Sequence, residues 1–478
     1  MPQRRSHIAP SAVESDLAAA LAALREDLDA PTEFSPEAVA EAEAATAPDP
    51  ELDLRDVPFV TLDPLGAKDL DQAMHLARNG SGFEVRYAIA DVPAFVDPGG
   101  AVDAAARERG QTLYAADGSI PLHPRALSED RASLLPDQDR PALVWTFELD
   151  EAGVVSEFRL ERALIRSRAQ LDYESAQESL DRGEESALSL LPVIGGLRQK
   201  LEAQRGGASL NLPDSEVVQR EDGTYGIDRR HPLPLEDWNA QLSLMTGMAA
   251  ATLMIDAGVG VLRTMPEPDE KAFTAFRLQT ETLGRPWNSG EYGEYLRSLD
   301  RDDPLTQPVL EAAASLFRGA GYVTFDGSVP DDIEQAAIAA PYAHATAPLR
   351  RLVDRWALTI CLAVSRGEQV PTWARESLEQ LPALMQESGR RASRLNADTV
   401  NRVEAALLAP LVGSTLEATI IEIREDRATI QIADPAVTAS APLPSNAKPG
   451  DTVRLHLVRA DIGKGEVEFA LAGSVAGR

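Results

Sequence analysis

The sequence predicts an α+β protein. A large mixed body should lie between a small helical N-terminal module and a C-terminal β-barrel of the OB-fold type. Three observations carry this expectation. Phe83, Val85, Tyr87 and Ile89 alternate with Glu84, Arg86, Ala88 and Ala90, the period of a half-buried strand. Residues 236–256 and 375–408 keep helical spacing in the same body. Beyond residue 412 the pattern turns into short strands divided by turn signals.

Taken in order, residues 11–29 read as a helix. Ser11 and Glu14 make a capping-box pattern, and Val13, Leu17, Leu21, Leu24 and Leu28 follow helical spacing until Pro31. Ser35-Pro36 opens a second helix, which fades at Ala47-Pro48-Asp49-Pro50. Residues 1–54 are therefore a helical module, either part of a helix-turn-helix or a hairpin packed on the body. The body, 55–410, should contain strands at 143–149 and 158–165, joined through Asp150-Glu151-Ala152-Gly153. Helices are expected at 170–205, 236–256, 305–318, 347–366 and 375–408. In the last segment, 411–478, strands are expected at 416–423, 428–432, 453–458 and 466–471. Lys448-Pro449-Gly450-Asp451 is the clearest of its turns.

Composition narrows the function classes. The chain has 76 acidic and 46 basic residues, a net charge of −30, which argues against non-specific adhesion to nucleic acid or membranes. A local basic groove remains compatible with it. The single cysteine, Cys361, excludes an intrachain disulfide and a zinc site built from several cysteines. Its neighbours Leu358, Ile360, Leu362 and Val364 mark it as a core residue. The longest uncharged stretch, 239–255, is closed by Asp256 and fits a buried helix better than a membrane span. No apolar run follows Arg4 and Arg5, so a signal peptide is not expected and cytoplasm is the expected location.

The chemistry concentrates in Thr61-Leu62-Asp63-Pro64-Leu65-Gly66-Ala67-Lys68-Asp69-Leu70-Asp71-Gln72-Ala73. Asp69 and Asp71, two apart, point the same way in extended backbone. Asp63 lies across a Pro-Gly turn that can fold it back toward them. Carboxylates held that close repel unless a cation lies between them, and hard oxygen donors suit Mg²⁺ or Mn²⁺. In so acidic a chain the plain alternative is a solvated loop.

Further motifs follow in a fixed order. They are Ala88-Ile89-Ala90-Asp91-Val92, Asp103, Ala106, Arg109-Gly110, Tyr114, Ile120-Pro121-Leu122-His123-Pro124 and Leu127-Ser128. Much later comes Tyr342-Ala343-His344-Ala345-Thr346-Ala347-Pro348-Leu349-Arg350-Arg351-Leu352-Val353-Asp354. In this order they resemble the catalytic domain of the ribonuclease II/ribonuclease R family, over roughly residues 55–408. The last segment resembles the S1-type RNA-binding domain of that family. The resemblance implies a 3′-to-5′ exoribonuclease that releases 5′-mononucleotides from single-stranded RNA with a divalent metal, acting as a monomer.

It also implies roles. Asp63, Asp69 and Asp71 match three of four active-site aspartates that hold metal. Tyr114 and Tyr173 fall where the family places tyrosines along the RNA path, with half-buried packing residues as the alternative. Arg350 and Arg351 match a Thr-Ser-Pro-Ile-Arg-Arg stretch and would hold phosphates, Arg350 close to the chemistry; a surface pair at a helix start is the alternative. Arg318 is a further phosphate candidate. The departures are Gln72 in place of the fourth aspartate, Ala345 for an aromatic and Ala347 for a serine. Gln72 keeps an oxygen for metal but loses a charge. In the barrel Phe469 is the one aromatic, so RNA would rest on Arg424, Arg427, Arg454, Arg459 and Lys464. A catalytically silent RNA-binding protein that keeps the fold is the second expectation.

Overall fold

The structure is a computed structural model. It describes residues 16–472 apart from 29–30, 49, 51, 116–117, 209–213, 220–224, 231, 301–305, 315, 317, 425–426, 436 and 444–446. The predicted Ser11–Glu14 capping box lies outside the described residues.

The first half of the body is built from strands β1 (Leu52–Asp53), β2 (Phe59–Asp63), β3 (Gln72–Asn79), β4 (Gly82–Ala90), β5 (Leu113–Ala115), β6 (Gly118–Ile120), β7 (Asp139–Leu149) and β8 (Val155–Asp172). The main sheet runs β1-β8-β2-β3-β4-β7, and β8 also pairs with β7. The path β8-β2-β3-β4-β7 thus returns on itself. The length of β8 makes this closure work. Its first part lies antiparallel to β7, from Val155 opposite Leu149 to Arg166 opposite Asp139. Its last residues run parallel to β2, ending with Asp172 opposite Asp63. The predicted helix at 170–205 therefore starts later than expected: β8 continues to Asp172, and helices occupy Tyr173–Asp181 and Leu191–Gln204.

The alternation in β4 holds through Arg86, but from Tyr87 to Ala90 the strand is buried on both faces. Val85, Tyr87 and Ile89 enter one core with Trp145, Phe147, Met245 and Trp356. Ala88 and Ala90 enter a second core with Phe59, Val92, Leu127 and Ile165. Small side chains there permit close cover by the second layer, while Glu84 and Arg86 keep the first half of that face polar and part-exposed. Trp145 and Phe147 stack with centroids 6.1 Å apart, a large share of the first core.

Helices Pro234–Ala257 and Leu352–Ser365 pack inside the body. Strands Val259–Thr264 and Gly321–Asp326 pair antiparallel and bracket an insertion that carries helices Glu270–Thr282, Tyr292–Ser298 and Thr306–Ala314. That insertion has its own core of Phe276, Trp287, Tyr292, Tyr295 and Val309. The helix expected from residue 347 begins only at Leu352, because Pro348 and the extended Arg351 (φ −133°) are paired elsewhere.

Both N-terminal helices dock on the body. In Asp16–Asp27, Leu17 and Leu21 pack with Val403 of the long Leu381–Leu408 helix. Leu24 and Leu28 pack with Leu395 and with Leu113, Ala115 and Ile120 of the β5–β6 hairpin. From Pro36–Ala44, the Glu41 carboxylate accepts the backbone N–H groups of Ala101 (2.6 Å) and Val102 (3.2 Å). These open the Ala101–Arg109 helix, where a negative charge stabilises the dipole. The C-terminal sheet has five strands, Thr415–Arg424, Arg427–Ile432, Val437–Pro442, Thr452–Asp461 and Glu466–Leu471, around Ile420, Ile430, Val437, Leu455 and Leu457. Val437–Pro442 escaped the sequence reading because its Ala, Ser and Pro carry little strand propensity. Among the described residues no helix is long and apolar enough to cross a membrane.

Candidate active site

Asp63 is the last residue of β2. A turn follows, closed by Ala67 N–H on the Pro64 carbonyl (3.1 Å), with Gly66 at φ +80°, a conformation that suits glycine. The next residues are strapped down by Ser133. Its hydroxyl accepts Leu70 N–H (3.0 Å) and donates to the Lys68 carbonyl (2.6 Å). Leu134 N–H adds a bond to the Leu70 carbonyl (3.1 Å). Leu70 is fully buried, so Asp69 and Asp71 on either side turn the other way.

Asp71 is only 4% exposed. Its Oδ1 accepts Leu349 N–H at 2.8 Å, and its Oδ2 lies 3.4 Å from Arg350 Nε. Burial pushes its carboxyl well above the usual range. Arg350 and the Leu349 N–H oppose that push, and the charges of Asp69 and Asp354 add to it. Tyr114 OH is 3.5 Å from Asp69 Oδ2, at the outer limit of a hydrogen bond.

The Tyr342–Arg351 segment reaches this cluster from the far end of the chain. Ala343 N–H bonds the Gly247 carbonyl (3.0 Å). Gly247 is required there, since a Cβ would come within 2.1 Å of the Tyr342 ring. His123 Nε2 donates to the Pro348 carbonyl (3.3 Å). Burial, with Arg355 and Arg109 nearby, pushes that imidazole down to about 3. Beyond Pro348 the backbone zips against 110–112: Thr112 N–H bonds the Arg350 carbonyl and Leu352 N–H the Gly110 carbonyl, both at 3.0 Å. The same stretch leads into β5, so one pairing sets Arg350 and Tyr114 together.

The two arginines diverge. Arg350 keeps 33% of its side chain exposed beside Asp71. Arg351 turns inward and donates to the buried Asp354 Oδ1 (2.8 Å), which also accepts Ala347 N–H (2.7 Å). This makes Arg351 a brace for the turn, not the phosphate contact expected of it. Tyr173 follows Asp172, the strand partner of Asp63, and its OH accepts from Asn239 Nδ2 (3.4 Å).

Gln72, expected to offer an oxygen to metal, has its amide committed. Oε1 accepts Tyr87 OH (2.8 Å), and Nε2 donates to the Thr346 carbonyl (2.5 Å). Arg318 sits elsewhere, exposed at the rim of a hollow of about 450 Å³ lined by Pro266, Asp269, Ala272 and Phe276. In the barrel Phe469 is buried in the core and offers no stacking surface. Arg427 is turned onto Ser440 (2.7 Å), and Arg459 lies among Asp461, Glu466 and Glu468 at 2.9–3.8 Å. Arg454 and Lys464 remain exposed.

Sequence reasoning missed Ser133, Tyr87 and the buried Arg355–Asp103 pair (2.5 Å) that backs His123. Tyr87 was legible only as a core residue. Nothing local to Ser133 marks its role.

Among the described residues, no three His, Cys, Asp or Glu side chains are gathered closely enough to enclose a metal ion. The donors that are present still fit a hard divalent cation. Mg²⁺ characteristically takes one or two carboxylates and completes its octahedron with water and substrate phosphate. A cation beside Asp71 would also offset the burial, and the lesser repulsion from Asp69 and Asp354, that now disfavour its ionised form.

These features define an all-oxygen acidic site on a closed sheet, followed by an OB-type barrel. The RNB domain model matches residues 51–364, and the RNase II-type exonuclease C-terminal S1 domain model matches residues 414–472. The chain belongs to the RNB-domain family of ribonuclease II and ribonuclease R. It is 26% identical over 402 residues to ribonuclease R of Escherichia coli, covering 78% of this chain and 48% of that protein. It is 30% identical over 325 residues to a probable exosome complex exonuclease RRP44 of Caenorhabditis elegans, covering 64% of this chain and 34% of that protein. The chain thus spans half or less of the length of these relatives. Mycoplasma genitalium RNase R, solved with ribose-methylated single-stranded RNA, shares the fold with a TM-score of 0.85 at 19% identity, over 96% of this chain and 78% of that one. Divalent-metal dependence is general among RNB exoribonucleases.

Proposed function

We propose that this chain hydrolyses single-stranded RNA from its 3′ end to 5′-mononucleotides with Mg²⁺ or Mn²⁺, as a cytoplasmic monomer. The observation that carries the reading is Asp71, buried and held from two sides by Leu349 N–H and Arg350, beside Asp69 and Tyr114. Of Asp63, Asp69 and Asp71, one or two would hold the metal directly, with waters and RNA phosphate in the remaining positions. When bound, the metal supplies charge neutralisation and a more acidic water.

The protein's own groups do the rest. Leu349 N–H and Arg350 fix the direction of the Asp71 lone pairs. The exposed part of Arg350 meets a phosphate and offsets the charge that develops on it. Tyr114 orients the terminal nucleotide, and Tyr173, next to the end of β2, lines the approach. Choice of RNA over DNA rests on family membership.

A catalytically silent RNA-binding protein is the second reading, favoured by a glutamine where the family has its fourth acid. A time course on 5′-labelled single-stranded RNA with Mg²⁺, Mn²⁺ or EDTA separates the two. Stepwise, metal-requiring loss from the 3′ end supports the nuclease. Intact RNA in every condition, bound by a folded protein, supports the silent reading. Asp71→Asn should lower cleavage by at least about a thousandfold while RNA affinity in EDTA stays within about threefold.

A further inference from the structure

We infer that Gln72 is a positioning residue and not a metal ligand: its uncharged amide braces the Arg350 segment against the strand that carries the aspartates. The inference rests on the proposed reaction only for its kinetic readout. Three contacts motivate it. Gln72 Nε2 donates to the Thr346 carbonyl at 2.5 Å, and Gln72 Oε1 accepts the Tyr87 hydroxyl at 2.8 Å. That hydroxyl lies 2.8 Å from Ser243 Oγ on the Pro234–Ala257 helix. A chain of hydrogen bonds therefore runs from this helix through β4 and β3 to the Tyr342–Arg351 segment.

The position of Thr346 matters. Three residues further on, Leu349 N–H bonds Asp71 Oδ1 at 2.8 Å. Adjacent residues at the start of β3 thus grip the same incoming segment at two points, one through a carboxylate and one through an amide. Between the two grips lie Ala347 and Pro348, and directly beyond the second lies Arg350. Release of the Thr346 end removes the one side-chain grip from β3 itself, leaving the Asp71–Leu349 bond and the contacts of Pro348 with His123 and of Arg350 with Thr112.

The chemistry of the side chain explains why a carboxylate cannot substitute. Ionised Asp or Glu only accepts hydrogen bonds, so either would face the Thr346 carbonyl with like partial charge. Asp is also one methylene shorter and falls short of both partners. With glutamine the site gives up one anionic oxygen and gains a fixed frame for Arg350.

The test compares Gln72→Asp, Gln72→Ala, Tyr87→Phe and the Gln72→Ala/Tyr87→Phe double variant with the parent protein. Two measurements are made: the melting temperature with and without Mn²⁺, and single-turnover cleavage. If Gln72 is a brace, Gln72→Asp melts lower in EDTA and gains no extra Mn²⁺-induced shift. Its cleavage rate falls by at least about tenfold with RNA affinity unchanged. Tyr87→Phe then moves melting and rate the same way, by less, and its effect is non-additive with that of Gln72→Ala. A larger Mn²⁺-induced shift and faster cleavage in Gln72→Asp would overturn the inference in favour of a fourth metal ligand. Full additivity of the two substitutions would overturn it as well. If Gln72→Asp does not fold, the coupling between Tyr87→Phe and Gln72→Ala decides. If the parent protein cleaves nothing, the proposed function fails, and the melting shifts with their coupling still decide the role of Gln72.

Discussion

Arg350 and Arg351 are the same residue type, adjacent, and opposite in role. Extended backbone at Arg351 sends successive side chains to opposite sides, so one arginine meets Asp71 and the other Asp354. The sequence could not separate them, because the pairing with 110–112 that extends the backbone lies some 240 residues away. The spacing of the aspartates and the Pro-Gly turn between them could be read for the contrary reason: both are local. Ser133, which straps their loop, is 63 residues from Leu70 and carries no local mark. Arg350→Lys should lower the single-turnover rate by roughly 10- to 100-fold with RNA affinity kept within a few-fold, since lysine has no planar fork to span Asp71 and a phosphate. Rapid quench with saturating protein measures it, and an unchanged rate would remove Arg350 from the chemistry. Ser133→Ala should raise the Mn²⁺ concentration needed for half-maximal activity, because the Leu70 N–H and Lys68 carbonyl lose their common partner.

Among the elements, periodicity identified β4, β7, the long helices and most of the barrel strands. It failed where two layers cover one strand and where pairing overrides a helical pattern, as at 347–351. The turn that brings Leu349 to Asp71 depends on His123, which donates to Pro348 while held neutral by burial. This makes the fold sensitive to acid. The folded imidazole titrates near 3 and the unfolded one near 6.5. Stability from this group is complete above about pH 6.5 and is lost as pH falls toward 3, at about 1.4 kcal/mol per pH unit. His344, bonded to Tyr322 OH at 2.7 Å and also held well below its ordinary value, acts in the same direction. Urea unfolding at pH 7, 6 and 5 should show this slope. His123→Gln, which can keep a donor toward Pro348, should reduce it by about one proton.

For the molecule as a whole, the charge of −30 and the arrangement of the barrel point the same way. Phe469 is buried, Arg427 bonds Ser440, and Arg459 is surrounded by carboxylates, so of the expected contacts whose side chains are described only Arg454 and Lys464 stay open to RNA; the Arg424 side chain lies outside the described residues. Reversing both charges, Arg454→Glu with Lys464→Glu, should weaken RNA binding less than about tenfold and leave the single-turnover rate intact. Fluorescence anisotropy at 50 and 200 mM salt would show it, and a larger loss would assign the barrel a principal share of the grip. Domain order was readable from changes of pattern along the chain. How the N-terminal helices attach was not, because their partners, the β5–β6 hairpin with Leu395 and Val403 of the Leu381–Leu408 helix, lie far along the chain.

That attachment has a consequence in time. Leu17 and Leu21 leave the ribosome before nearly everything they contact, and their partner Val403 is made close to 380 residues later. At 5–20 residues per second Leu17 and Leu21 wait roughly 20–80 s for that partner. These two leucines are therefore covered late, long after the helix that carries them and the β5–β6 hairpin beside it have been made.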